Sequence, residues 1–313
     1  LRVVALAGGV GGAKLAAGMQ AVLPPGALSV VVNTADDFDP WGLRVCPDLD
    51  TVMYTLAGLA NTETGWGVRD ESFAALSMLS AYGEDIWFRL GDSDLATHVL
   101  RTQRLHAGAC LTEVTASLVS ALGVCSILLP MCNEPVSTFL KTPAGLLEFQ
   151  EYFVRRRQRD EVLGVELRGI SEARVTQEVS QAITGAGAII FCPSNPVVSL
   201  APILAVPGMR ELLANSPAPK VAVSPIVGGR ALKGPADRML DSLGYEVSAT
   251  GVARMYEGLL DGFVVDRSDG GEEAGVSALG MRVLATDAVM RDEEDREHLA
   301  REVLDLCREL DAT

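Results

Sequence analysis

Four carboxylates stand in two short acidic strings early in the chain. Asp36 and Asp37 stand in Asn33-Thr34-Ala35-Asp36-Asp37-Phe38, and Asp48 and Asp50 in Cys46-Pro47-Asp48-Leu49-Asp50-Thr51. They follow an apolar run, residues 29–32, that reads as a short buried strand, so they are expected at the strand's carboxyl end. In open α/β sheets that edge is where ligands bind. Carboxylate oxygens there can hold a divalent metal against the phosphates of a nucleotide. Helix capping and plain solvation are the other roles open to them.

A second chemical feature precedes them. The apolar run 2–7 leads straight into Gly8-Gly9-Val10-Gly11-Gly12-Ala13-Lys14-Leu15 and a helical pattern to about residue 23. Glycines let the backbone approach a ligand closely, and free N–H groups at a helix start favour an anion. The loop lacks the Lys-Ser/Thr ending of a P-loop and its spacing is not GxGxxG, so a tight turn is an equal reading. Two later strand ends carry related chemistry. Residues 188–192 run into Pro193-Ser194-Asn195-Pro196, where Ser194 and Asn195 offer short hydrogen-bonding side chains. Residues 220–223 run into a glycine-rich segment ending at Gly234, where Arg230 and Lys233 can meet phosphate.

Between these lie weaker signals. Glu63-Thr64-Gly65-Trp66-Gly67 is a glycine-punctuated loop whose Trp66 could cover a site. Asp92 and Asp94 open a helix over 92–105 and read as first-turn caps. Thr97, His98 and Arg101 share a face of that helix, so His98 and Arg101 either point into one cleft or sit on the surface. Arg155-Arg156-Arg157-Gln158-Arg159 is a concentrated basic run; a solvated face is its ordinary reading, contact with a phosphate its alternative.

The elements that must position these residues alternate. Four or five strands with interposed helices imply a parallel, mostly buried sheet with right-handed crossovers. From 136 to about 170 the pattern changes to short strand-like runs at 137–140 and 162–167, which reads as a small inserted α/β subdomain in an otherwise single domain over 1–313. Residues 270–275 read as mobile. With 313 residues, 48% of them hydrophobic, the chain can bury a core without staples. Its six cysteines contain no CxxC pair, which argues against a zinc ribbon or disulfide framework and for a reducing cytoplasm. A net charge of −15 repels phosphate backbones, so no nucleic-acid partner is expected and a polyanionic ligand must be met locally. No uncharged run approaches the roughly 20 residues of a bilayer span. A soluble, cytoplasmic protein with no membrane partner is expected.

Six strings occur in the order found in the 2-phospho-L-lactate transferases of coenzyme F-420 biosynthesis. They are the glycine loop 8–15, Asn33-Thr34-Ala35-Asp36-Asp37, Pro47-Asp48-Leu49-Asp50-Thr51-Val52, Gly91-Asp92-Ser93-Asp94-Leu95-Ala96, Pro193-Ser194-Asn195-Pro196 and Ser224-Pro225-Ile226-Val227-Gly228-Gly229. Along nearly its whole length the chain resembles that family. The resemblance implies a modified Rossmann-like fold, commonly a homodimer. It also implies transfer of a phospholactyl or phosphoenolpyruvyl group from a guanosine diphosphate conjugate to the deazaflavin alcohol Fo, with GMP leaving and magnesium as cofactor.

On that reading the reaction is displacement at phosphorus by a primary alcohol, catalysed mostly by positioning and charge neutralisation. Asp36 and Asp50 are the first choices as metal ligands and catalytic residues, with Asp48 as a further ligand and Asp36 as candidate general base. Gly9, Gly11, Gly12, Lys14, Ser194, Asn195, Gly228, Gly229, Arg230 and Lys233 would hold the donor's diphosphate and guanosine. Asp37, Trp41, Trp66 and His98 would face the acceptor. One departure is Asp39-Pro40-Trp41-Gly42-Leu43, where the family often has a histidine before Gly-Leu; Trp41 can stack on the deazaflavin in its place. Two other classes compete. A non-catalytic nucleotide-sugar-binding regulator of the gluconeogenesis-factor type resembles only the first third of the chain. An NAD-dependent oxidoreductase is weakened by the loop spacing.

Overall fold

Short apolar runs bounded by turns become strands of a parallel sheet where helices can cover both faces. In the computed structural model, which describes residues 1–312, seven such runs form one sheet. In chain order the strands are β1 (Val3–Ala7), β2 (Leu28–Val32), β3 (Ile127–Pro130), β4 (Ser137–Thr142), β5 (Gly145–Glu148), β6 (Gly164–Arg168), β7 (Ala188–Phe191), β8 (Lys220–Val223), the short ribbon β9 (Ile226–Val227) and β10 (Arg230–Ala231), then β11 (Gly262–Asp266) and β12 (Arg282–Thr286). The large sheet runs β12-β11-β8-β7-β1-β2-β3 and is parallel throughout. The chain therefore enters at the centre, winds outward to β3, and returns to the other side of β1. That reversal is the Rossmann order, and it opens a crevice beyond the carboxyl ends of β1 and β7.

The helices are α1 (Gly9–Val22), α2 (Pro47–Leu56), α3 (Ala74–Ala81), α4 (Asp92–His106), α5 (Leu111–Ala121), α6 (Gln177–Thr184), α7 (Ala201–Ala205), α8 (Met209–Ala214), α9 (Ala236–Ser242), α10 (Ala249–Met255), α11 (Glu273–Ser277) and α12 (Glu293–Asp311). Strand side chains alternate between the two faces. Leu6, Val31, Phe191 and Phe263 pack into one core with residues of α6 to α10, while Ala5, Val30, Ile190 and Val264 pack into the other with α1, α2, α5 and α12. Among the described residues no helix is long and apolar enough to cross a membrane.

Three local outcomes bear on the site. Helix α2 starts at Pro47, where proline at the first position is already set for a helix. Asp48 and Asp50 thus lie inside its first turn. Residues 137–168 form an antiparallel sheet, β5-β4-β6, and a helical turn over Glu151–Arg155 leads from it toward the crevice. Residues 270–275, mobile by their glycines alone, fold into a helical turn and α11; the buried Asp269 there accepts the Gly228 N–H at 2.9 Å.

Candidate functional site

The crevice holds a cavity of about 720 Å³. Its walls come from the glycine turn, the first turn of α2, the turn after β7, the loop around Trp66, the subdomain's helical turn and the approach to α9. Behind its wall the buried Asn33 Nδ2 donates to both Asp36 Oδ2 (3.1 Å) and Asp48 Oδ2 (2.9 Å), so one amide joins the two acidic strings. Asp48 Oδ1 also accepts the Gly9 N–H at 2.8 Å. Asp36 Oδ1 is buried and makes no well-formed hydrogen bond among the described residues, although the Thr138 hydroxyl lies near enough to lower the carboxyl's pKa. Burial, and then the charge of Asp48, hold the Asp36 carboxyl well above the usual range. Burial pushes Asp48 up to about 6 against the hydrogen bonds from Asn33 and Gly9. Two carboxylates this close, both reluctant to ionise, and one with an oxygen that no well-formed hydrogen bond uses, fit a divalent cation of the hard, oxygen-preferring kind.

Asp50, the other first-choice ligand, is held by protein donors. Arg101 Nη1 donates to Asp50 Oδ2 (3.1 Å) and Nη2 to Oδ1, a bidentate pair between residues 1% and 5% exposed. The Cys46 N–H adds a third donor at 3.3 Å. His98 continues the network: its Nδ1 lies 3.2 Å from Arg101 Nη1 and its Nε2 3.1 Å from Asp94 Oδ1. Since Arg101 can only donate, Nδ1 is the accepting nitrogen, and Nε2, though 3.1 Å from Asp94 Oδ1, is not aligned for a hydrogen bond among the described residues. Tyr54 donates to the same Asp94 oxygen at 2.8 Å. Asp50, Asp94 and His98 bring ligand atoms within 4.8 Å of one another, yet each is already partnered by protein. They form a buried brace that fixes α2 against α4. Asp94 is therefore not the helix cap read from its position. Glu71 caps α4 by accepting the Ser93 and Asp94 N–H groups, and Asp92 caps α3 through Ala74 and Ala75.

The glycine turn works differently from the expectation of a free anion nest. The Gly8 N–H donates to Ser194 Oγ (3.0 Å), which donates back to Gly8 O (2.8 Å), and the Gly9 N–H is taken by Asp48. Any side chain at Gly11 would overlap the Pro193 carbonyl, and one at Gly12 would crowd Ser194 and Ala7. These glycines bring α1 against the β7 turn. Gly12 is buried and does not line the cavity. What remains for a ligand are the Val10 and Gly11 N–H groups, which have no helical acceptor by their position. Lys14, one turn on, lines the cavity and donates to Met290 O at 2.5 Å; burial, then Arg296 and Lys233, lower its pKa.

The other candidates divide. Ser194 spends its hydroxyl on Gly8, and Asn195 Oδ1 caps the next helical turn through the Val197 and Val198 N–H groups, so both line the cavity as scaffold. Lys233 and Trp66 line it; Gly228, Gly229 and Arg230 do not, because the β9-β10 ribbon carries them away from it. Asp37 and Trp41 line a neighbouring cavity of about 530 Å³, and burial pushes Asp37 up to about 8. The two cavities share Asp36, Gln150 and an aromatic wall of Trp87, Phe88 and Phe149. Phe38 and Trp66 extend that wall at ring distances of 4.6 and 6.4 Å from Phe88. Sequence reasoning passed over Trp87, Phe88 and Gln150, whose only signal was two adjacent aromatics after a turn.

A Rossmann-ordered sheet with a glycine turn, two lysines and an acidic pair at its switch point defines a doubly wound α/β protein with its ligand crevice at the carboxyl ends of the strands. Comparison with known proteins narrows this. The family model for "2-phospho-L-lactate transferase CofD" matches residues 3–304. The chain is 44% identical to a phosphoenolpyruvate transferase of Streptomyces griseus, with all of both chains covered, and 39% identical to a 2-phospho-L-lactate transferase of Methanosarcina acetivorans, covering 97% and 98%. A solved structure of a UPF0052 family member from Bacillus halodurans superposes with a TM-score of 0.66 at 17% identity over 97% of this chain and 98% of that one, a likeness of fold. The chain belongs to the 2-phospho-L-lactate transferase family.

Proposed function

We propose that the protein transfers a 2-phospholactyl or phosphoenolpyruvyl group from a guanosine diphosphate conjugate to the terminal hydroxyl of the deazaflavin Fo, in coenzyme F-420 biosynthesis. The observation that carries this reading is the Asp36–Asn33–Asp48 bridge at the switch point, beside Lys14 and Lys233, in a chain related to such transferases along its whole length. The Val10 and Gly11 N–H groups, Lys14 and Lys233 would bind the diphosphate. The aromatic wall between the cavities suits a flat, fused-ring acceptor.

Asp36 and Asp48 would hold a magnesium ion. When bound, it supplies charge neutralisation on the diphosphate. The acceptor oxygen forms a bond to the phosphorus that carries the lactyl or enolpyruvyl group, the bond from that phosphorus to GMP breaks, and the hydroxyl proton passes to Asp36, the carboxylate that lines both cavities. Gln150 Nε2, donating to Asp36 O at 3.1 Å, fixes the backbone of that base. Incubation with Fo, magnesium and each guanosine donor, read by mass spectrometry, tests the proposal. Formation of the phosphodiester together with GMP is expected; no product from either donor sinks it.

A further inference from the structure

We infer that Arg157 is an oxyanion-recognising residue of the large cavity, presented by a strained backbone turn and positioned by Arg238. The inference rests on the reading of that cavity as the site of a phosphate-linked donor. Within the basic run, Arg155 pairs with Asp85 and Glu151, and Arg156 with Glu151 and Asp160. Arg157 lines the cavity, and its guanidinium makes no ion pair, hydrogen bond or ring contact among the described residues. Arg159, the last arginine of the run, makes no ion pair among the described residues either, but it does not line the cavity. Arg157 is left open beside a site that must draw in a polyanion.

The backbone points the same way. Arg157 and Gln158 have φ values of 55° and 57°, two consecutive side-chain-bearing residues in the left-handed region. Each is sterically disfavoured and persists only where the surroundings hold it. The surroundings do: the Gln158 N–H donates to Tyr152 O at 2.9 Å, and Arg238 on α9 donates to Gln158 O (3.1 Å) and Oε1 (2.7 Å). The element that ends in this turn begins at Gln150, which is bonded to Asp36 O, so the guanidinium is carried on the same short segment that supports the acidic pair. A planar fork of donors suits either a carboxylate or phosphoryl oxygens. In the proposed donor these are the carboxylate of the transferred group and the diphosphate.

The test uses the full-length protein with magnesium and three variants: Arg157→Gly, which removes the guanidinium and is at ease at positive φ, Arg157→Lys, and Arg238→Met. Arg157→Gly should melt at or above the wild-type temperature while its KM for the donor rises at least about 10-fold. Arg157→Lys should recover only part of that loss, lacking the fork. Arg238→Met should raise KM with Arg157 still present. A parallel fall in GDP affinity assigns Arg157 to the diphosphate; unchanged GDP affinity with a raised donor KM assigns it to the carboxylate. The inference is overturned if Arg157→Gly keeps donor KM and GDP affinity within twofold of wild type, or if its losses track a fall in melting temperature. Wild type that neither binds GDP nor makes product would fail earlier, at the transferase reading, and take this inference with it.

Discussion

Replacing Arg101 by Met should cost the protein much of its stability, and the size follows from what Asp50 is left with. The guanidinium, 1% exposed, supplies two of the three N–H donors to the Asp50 carboxylate and also reaches Arg44 O at 3.3 Å. Burial alone would lower the Arg101 pKa; the charge and hydrogen bonds of Asp50, with Cys46 and Asp37 nearby, together outweigh it and drive it up. Without Arg101, a carboxylate 5% exposed keeps only the long bond from Cys46. Removing one partner of a buried pair costs about 3–5 kcal/mol. At an unfolding entropy of roughly 2.1 cal/mol/K per residue, 313 residues give about 0.66 kcal/mol/K, and the midpoint should drop by roughly 5–8 °C. Calorimetry or circular dichroism melting reads this directly. Asp50→Asn should also lower the midpoint, and Arg101→Met with Asp50→Leu should restore much of it, since an apolar pair can replace a buried ionic one. A midpoint unmoved in both single variants, with magnesium binding lost in Asp50→Asn, would refute the brace and return Asp50 to the metal.

Asp48→Asn and Asp36→Asn should each abolish turnover with the fold kept, measured as product formation beside a circular dichroism spectrum; near-normal activity in either would remove it from the metal and base assignments. Lys233→Met should weaken GDP binding roughly 10- to 100-fold, the worth of a charge-assisted hydrogen bond, with no change in melting because the ammonium has no protein partner; calorimetric titration decides. Gly11→Ala should destabilise by roughly 1–3 kcal/mol or more, because the Pro193 carbonyl occupies the space of the new methyl group; denaturant unfolding measures it. For pH, Asp266 is buried yet its pKa lies below the ordinary range, because Ser268 donates to Oδ1 through N–H (2.9 Å) and hydroxyl (2.6 Å) and the Ala288 N–H donates to Oδ2 (3.0 Å). Its folded pKa is depressed, so its contribution is present above the unfolded value of about 3.9 and is lost as pH falls through the lower folded one. Asp266→Asn should therefore flatten the acid limb of the stability profile, and an unchanged limb would count against the assignment.

What the sequence by itself determined was whatever depends on local pattern. The apolar runs at 2–7, 29–32, 188–192 and 220–223 announced buried parallel strands because both of their faces must be covered, and the glycine turn and acidic strings fell at strand ends for the same reason. The six ordered strings also carried the family. Only the tertiary structure decided which acidic residues share a site. Asp50 and Asp48 are two residues apart on one helical turn, but Arg101, 51 positions away, takes one, and Asn33 with Gly9 takes the other. Likewise Ser194 looked like a ligand donor until Gly8, 186 positions away, claimed its hydroxyl. Arg157 looked like part of a solvated run until the fold placed it, alone of that run's arginines, in the wall of the large cavity. A polar side chain's role is set by which partner reaches it first, and those partners are brought together by the winding of the sheet, where local periodicity carries no information.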